Sequence, residues 1–127
     1  MAQQFIVQLT NRPGALASLA EALAARGVDL RAIGGGGIGD AGHIILTTAD
    51  DDTARAVLTE GGYTFIEGES ILTEVDDRPG GMARLSRALA DAGVNVYGHL
   101  FLGRWGDRAM FAFVVDDPDK ARPILER

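Results

Sequence analysis

The sequence predicts an α+β fold of two tandem units. Each is ordered β-α-β-β-α-β, and the second lacks its last strand. Three observations predict it. The phrase NRPGALASLAEALAARGVDL (Asn11–Leu30) returns with an offset of 66 residues as DRPGGMARLSRALADAGVNV (Asp77–Val96). Such self-similarity at a fixed spacing marks a duplicated structural unit. Short apolar runs flank each copy, and glycine, proline and aspartate punctuate the boundaries.

The elements follow in order. Phe5–Leu9 is short, apolar and β-prone, which predicts a strand. Pro13 suits the first helical position, where its fixed φ helps and its missing N–H is not needed. Leu16, Leu19, Ala20, Leu23 and Ala24 then fall on one helical face, and Gly27 ends the helix. Val28–Ile33 resumes as a strand. The run GGGGIGDAG (Gly34–Gly42) is costly to order, because glycine loses most backbone entropy. It reads as the end of that strand plus a hairpin turn near Gly39–Gly42. His43–Ala49 is the third strand. DDDTARAVLTEGG opens with acids suited to a helix N-terminus and closes with glycines suited to its end. Tyr63–Glu67 is the fourth strand. The pattern is the ferredoxin-like, split β-α-β unit, with two helices over one face of an antiparallel sheet.

The second copy reads as strand Ile71–Val75, helix Pro79–Asp91, strand Val94–Gly103, turn RWGD, strand Arg108–Val115 and a helix from about Asp117. A gapless alignment pairs Asn11–Asp51 with Asp77–Asp117 and so Asp50 with Asp116. The units span residues 1–69 and 70–127. In the strand order 4-1-3-2, the missing fourth strand would leave Ile71–Val75 as an uncovered edge. A bare edge is a template for another strand. The expectation is a homodimer in which two such edges pair about a two-fold axis.

Composition narrows the function. The 127 residues are 46% apolar and 24% charged, which is globular. The start MAQQFIVQLTNR has neither a basic segment nor a long apolar one, and no run approaches the roughly 20 apolar residues of a membrane span. The expectation is therefore a cytoplasmic protein without membrane contact. There is no cysteine, which removes disulfides and thiolate chemistry. The net charge of −6, with Lys120 as the single lysine, argues against a nucleic-acid partner. An RNA-binding sheet would need its aromatics in a basic field, and Tyr97 and Phe101 lack one.

Nothing assembles an active site. His43 and His99 are the only histidines, Ser18, Ser70 and Ser86 sit in no nucleophile motif, and the acids at Asp50–Asp52 and Asp116–Asp117 suit helix starts. His99 reads as an interface residue, on one face of its strand with Tyr97 and Phe101. Leu100 and Leu102 take the other face. The RPG segments carry neither the lysine nor the hydroxyl of a phosphate loop, and GGGGIG (Gly34–Gly39) lies between strands rather than before a helix. The expectation is no enzyme, no cofactor and no metal site. Asn11 and Asp77 are also ordinary helix-capping residue types.

A strand, then [DN]RPG, an apolar helix, GV[ND] and another strand resembles the ACT domain. The signature occurs twice, as LTNRPGALASLAEALAARGVDL and EVDDRPGGMARLSRALADAGVNV, and the likeness covers essentially the whole chain. The resemblance implies a ferredoxin-like fold whose units pair side by side, with helices on one face of the joined sheet. It implies a small effector, most often an amino acid, bound at the seam between units, with strands Val28–Ile33 and Val94–Leu102 near that seam. The implied ligand residues are Asn11, Arg12, Pro13 and Gly14 in one copy and Asp77, Arg78, Pro79 and Gly80 in the other. Asp29 and Asn95, after the GV dipeptides, complete the set. If pairing crosses the units, Asn11 meets Asn95 and Asp77 meets Asp29. Two acids beside a bound carboxylate would make the Asp77 site the weaker one. The resemblance also implies regulation of a partner enzyme. The alternative is a subunit-association module that binds a protein and no ligand.

Overall fold

The computed structural model describes residues 2–126. Its elements are β1 (Gln3–Thr10), α1 (Ala15–Ala25), β2 (Leu30–Ile38), β3 (Ala41–Thr48), α2 (Asp51–Glu60), β4 (Phe65–Glu69), β5 (Ile71–Asp76), α3 (Gly81–Asp91), β6 (Val96–Trp105), β7 (Arg108–Val115) and α4 (Pro118–Leu125). Two compact units emerge, Met1–Gly68 and Glu69–Arg127. The first carries a four-stranded sheet in the order β2-β3-β1-β4, and the second a three-stranded sheet in the order β5-β7-β6. These are the orders 2-3-1-4 and 1-3-2 of a ferredoxin-like unit with and without its fourth strand. β5 therefore has one strand neighbour, β7, whereas its counterpart β1 lies between β3 and β4.

Each unit buries its own apolar face. Phe5 and Val7 of β1, Leu46 of β3, Leu19 and Leu23 of α1 and Leu58 of α2 form the first core. Ile71, Phe113, Val115, Leu89, Ala121 and Leu125 form the second. Alternation on the strands and i, i+4 spacing on the helices put these residues on facing surfaces. Thr73, buried on β5, donates its hydroxyl to the Leu125 carbonyl at 2.6 Å, which satisfies the end of α4.

The start of each first helix differs from the sequence expectation. α1 begins at Ala15, so Pro13 lies before the helix and not at its first position. Gly14 adopts φ 89° and ψ −14°, and the Ala15 N–H reaches the Arg12 carbonyl at 3.3 Å. This is a type II turn with proline and glycine as its central pair, a pair whose second member needs positive φ. Gly80 (φ 92°, ψ −12°) and the Gly81 N–H to the Arg78 carbonyl repeat it at 3.1 Å. The proline sets the first central φ, and the glycine takes the left-handed one. Neither Asn11 nor Asp77 caps a helix, because the cap position is the glycine itself.

The glycine run is also more regular than its entropy suggests. Gly34–Gly37 belong to β2, and the turn is confined to Gly39 and Asp40. A Cβ on Gly35 would stand 2.4 Å from the His43 carbonyl oxygen, and one on Gly37 2.6 Å from Asn11 Cγ. Close approach, not flexibility, selects glycine at these two positions.

The repeat is not gapless. β2 against β3 and β6 against β7 share one register shift near the strand start, at Leu30/Ala32 and Val96/Gly98. β6 has a second shift between Phe101 and Gly103, which inserts Leu102 as a bulge. Beyond it the offset is 67. Asp50 matches Asp117, and both serve as N-caps, of α2 and α4, accepting from the N–H of Thr53 and Lys120. The match with Asp116 is corrected accordingly, and His43 matches Met110. The bulge also turns Leu102 outward, 37% exposed, away from the buried face expected for it beside Leu100.

Two outcomes follow. Gly14→Ala places a Cβ in open space, so its effect is backbone strain alone, and a urea titration should show a loss of ~1–2 kcal/mol. The Thr53 hydroxyl and then its N–H hold the Asp50 carboxyl below the ordinary range. The cap then stabilises fully above that range and is lost as pH falls through the lowered value. Asp50→Asn keeps an acceptor without the titration, so its urea midpoint should fall less than that of the unaltered chain between about pH 5 and about pH 2.

Candidate functional site

In each unit the β1–α1 or β5–α3 loop is fixed to the neighbouring hairpin. The Asn11 N–H donates to the Asp40 carbonyl at 2.9 Å, and its side-chain amide donates to the Gly39 carbonyl at 2.9 Å. In the second unit the Asp77 N–H donates to the Asp107 carbonyl at 2.8 Å, and the Asp77 carboxylate accepts from Arg104 Nε at 2.8 Å. Arg104 occupies the register position of Gly37 and also lies 4.7 Å over the Phe101 ring. The same backbone join is therefore backed by a neutral side-chain bond in one copy and by an ionic one in the other.

The loop residues Asn11–Gly14 stand together at one end of the first sheet, and Asp77–Gly80 at the same end of the second. Asp29 and Asn95 do not join them within a unit. Each precedes the first residue of β2 or β6, while the loop contacts the far end of that strand. Eight steps of β2 place the two ends about 27 Å apart. Asp29 is locally balanced by Arg31 at 3.6 Å, and the Asn95 N–H donates to the Asp116 carboxylate at 2.9 Å. Asp29 and Asp77 thus each have an arginine beside them, unlike the bare carboxylates the sequence suggested.

Two clefts border the first loop. One, about 280 Å³, lies toward β2 and is lined by Asn11, Leu16, Gly35 to Gly37 and His43. Its counterpart in the second unit, about 340 Å³, has Asp77, Met82, Arg104 and Phe111. The other lies toward Gly61–Thr64 and is the larger, about 1020 Å³, lined by Gln8, Thr10, Arg12, Ser18, Asp40 and Tyr63 among others. Its counterpart shrinks to about 320 Å³. There Glu74, Asp76, Arg84 and Arg108 replace Gln8, Thr10, Ser18 and Ala41. Arg108 donates to Asp76 and stands 3.5 Å from Glu74, and Arg84 and Arg78 approach Asp76 at 3.9 Å and 3.3 Å.

Sequence reasoning found the loops but passed over Gln8, Thr10, Ser18, Asp40 and Tyr63. The signal was present in the repeat itself. At three matched positions, 8/74, 10/76 and 18/84, a neutral polar residue in one copy is a charge in the other. No cluster of three or more His, Asp or Glu residues suited to a metal occurs among the described residues. No helix of the described residues is long and apolar enough to cross a membrane.

No protein-family model and no curated protein matches the sequence. Solved structures do. Protein BT0572 from Bacteroides thetaiotaomicron superposes with a TM-score of 0.74 at 22% identity, over 98% of this chain and 86% of that one. The ligand-free regulatory subunit of aspartate kinase from Thermus thermophilus gives 0.65 at 20% identity, over 98% and 87%. That from Thermus flavus gives 0.64 at 20%, over 98% and 90%. At such identities the likeness is one of fold, and it runs nearly end to end through both units. The chain has the tandem ACT-domain fold, as its twice-written signature led one to expect.

Proposed function

We propose that the chain is a regulatory, non-catalytic module that binds an amino acid through its Asn11–Gly14 and Asp77–Gly80 loops, and that it acts in the cytoplasm on a partner enzyme. Asp29 and Asn95, after each GV dipeptide, belong to the proposed ligand set. One observation carries the reading. The cap glycines Gly14 and Gly80 bring no side-chain acceptor to α1 and α3, so the N–H groups of Leu16 and Ala17, and of Met82 and Ala83, keep their capacity for an external carboxylate. The fold shared with the aspartate kinase regulatory subunits supports it. A thermal-shift screen with the twenty amino acids checks it: a ligand that binds only the folded chain raises Tm by mass action. Asn11→Ala should weaken binding more than Asp77→Ala in calorimetry, since a neutral amide brings no like charge to a bound carboxylate whereas the Asp77 carboxylate does.

A second reading, subunit association without a ligand, is favoured by β6. This sheet-edge strand exposes Tyr97, Phe101, Leu102 and Trp105, the apolar kind of surface that interfaces use. A flat thermal-shift screen together with capture of a subunit would support it.

We propose in addition that the chain is a homodimer joined through β5. Its pairing with β7 runs through six residues without a bulge, and Ile71–Asp76 contains no proline or lysine to blunt the edge. Sedimentation of the unaltered chain should give a dimer. The Asp77 N–H turns to the β7 hairpin, so alternate residues of β5, Leu72 among them, aim theirs at the open edge. Leu72→Pro should therefore shift the chain to monomer by removing a donor from that edge. Circular dichroism must show that the variant is folded. A monomeric unaltered chain at high micromolar concentration would refute the dimer.

A further inference from the structure

We propose that the two copies are unequal, and that a free amino acid binds once per chain, in the large cleft of the first unit between the Thr10–Ser18 segment and Gly61–Thr64. The inference rests on the amino-acid reading above, but it moves the ligand to the other side of the loop and assigns different residues to it.

The cleft presents charges of both signs. Arg12 and Asp40 line it from the loop and from the adjoining hairpin. Among the described residues, no ion pair or side-chain hydrogen bond occupies either of them. Between them stand neutral hydrogen-bonding groups, Gln8, Thr10, Ser18 and Tyr63. A guanidinium accepts a carboxylate in a two-pronged fit, and a carboxylate accepts an ammonium. A zwitterion satisfies both. A phosphate would satisfy Arg12 but stand beside Asp40 as a like charge, and a simple amine would leave Arg12 without a partner. Hydroxyl and amide groups then favour a ligand with a polar body over a purely apolar one.

The second copy is the internal control. At the positions of Gln8, Thr10, Ser18 and Ala41 it places Glu74, Asp76, Arg84 and Arg108, and these charges neutralise one another. Arg78, the counterpart of Arg12, is already held by Asp76 at 3.3 Å. The remaining volume is about 320 Å³ against about 1020 Å³. A ligand entering there would have to break ion pairs to replace them, with no net gain. The second cleft also has no counterpart of the Gly61–Thr64 wall, so it differs from the first both in a missing wall and in charges that are already paired.

Calorimetry and thermal shift on the full chain test the site. The probes are the twenty amino acids and, for each that binds, its carboxamide and its deaminated acid. The expected result is one ligand per chain. Arg12→Gln and Asp40→Asn should each weaken it at least tenfold, as should removing either charge from the probe. Arg78→Gln should leave it within twofold. Both first-unit side chains are exposed, so the unliganded variants should melt with the parent chain. Three results overturn the site: an unaltered chain that shifts with no amino acid, two ligands per chain, or Arg12→Gln and Asp40→Asn that bind within twofold of parent. The first also removes the effector reading. The other two leave that reading standing and return the ligand to the β2 side of the loops.

Discussion

Each unit depends on a glycine that takes a conformation other residues resist. Gly14 and Gly80 sit at positive φ in the turn that converts an outgoing strand into a helix. Proline before each fixes the first half of the turn, and glycine allows the second. Two consequences follow. The helix begins without a capping side chain, so the second and third N–H groups of its first turn are left without a side-chain acceptor. The residue that might have capped it is released for another task. Asn11 and Asp77 tie the loop to the hairpin beyond, and the hairpin end and helix start become one rigid corner. Both the β2-side cleft and the larger one are walls of that corner.

The duplicated corners share a backbone and differ in chemistry. Leu102 is the lever. As an extra residue in β6 it resets the strand's alternation, so that Arg104 arrives opposite Ala109 where the first unit has Gly37 opposite Gly42. In the first unit this place has no room for a side chain, since Asn11 fills it. In the second the bulge makes room, and Arg104 reaches Asp77 while stacking on Phe101. A neutral amide join becomes an ion pair, and the surrounding positions follow the same trend toward charge.

The repeat, the helix faces, the strand order and the three-stranded second sheet were legible because they rest on local rules: periodicity of apolar residues, and proline and glycine as punctuation. What was misread has one cause, that tertiary distance overrides local preference. Proline at a helix start is a sound rule, but the glycine behind it takes the cap and moves Pro13 out of the helix. A run of four glycines looks loose from its entropy, yet Gly35 and Gly37 are held in a strand because the His43 carbonyl and Asn11 come too near for any Cβ. A one-residue bulge cannot be seen in a stretch where both copies are apolar or glycine, so Asp50 was matched with Asp116 in place of Asp117. The loops of the site were readable from the resemblance. The cleft wall at Tyr63 and Asp40 was not, since it is assembled from residues distant in sequence.

The charged network of the second unit says little about stability. Arg84 and Arg108 keep more than a third of their side-chain surface in water, as does Asp76. Exposed ion pairs of this kind contribute ~0–1 kcal/mol each, because solvent screens them and long side chains lose freedom in making them. The first unit folds with Gln8, Thr10, Ser18 and Ala41 at the same places, so its architecture does not require charge there. What the network does change is charge balance: Glu74, Asp76, Arg84 and Arg108 satisfy one another along a cleft that also lacks the Gly61–Thr64 wall of the other copy. Where the energetic return is small, the pairing of these charges matters more for what the cleft can hold than for how firmly the unit folds. A chain built from two identical corners would offer two equivalent clefts. Here one has its charges paired internally and the other keeps Arg12 and Asp40 on its walls, a difference that duplication permits and a lone unit could not have.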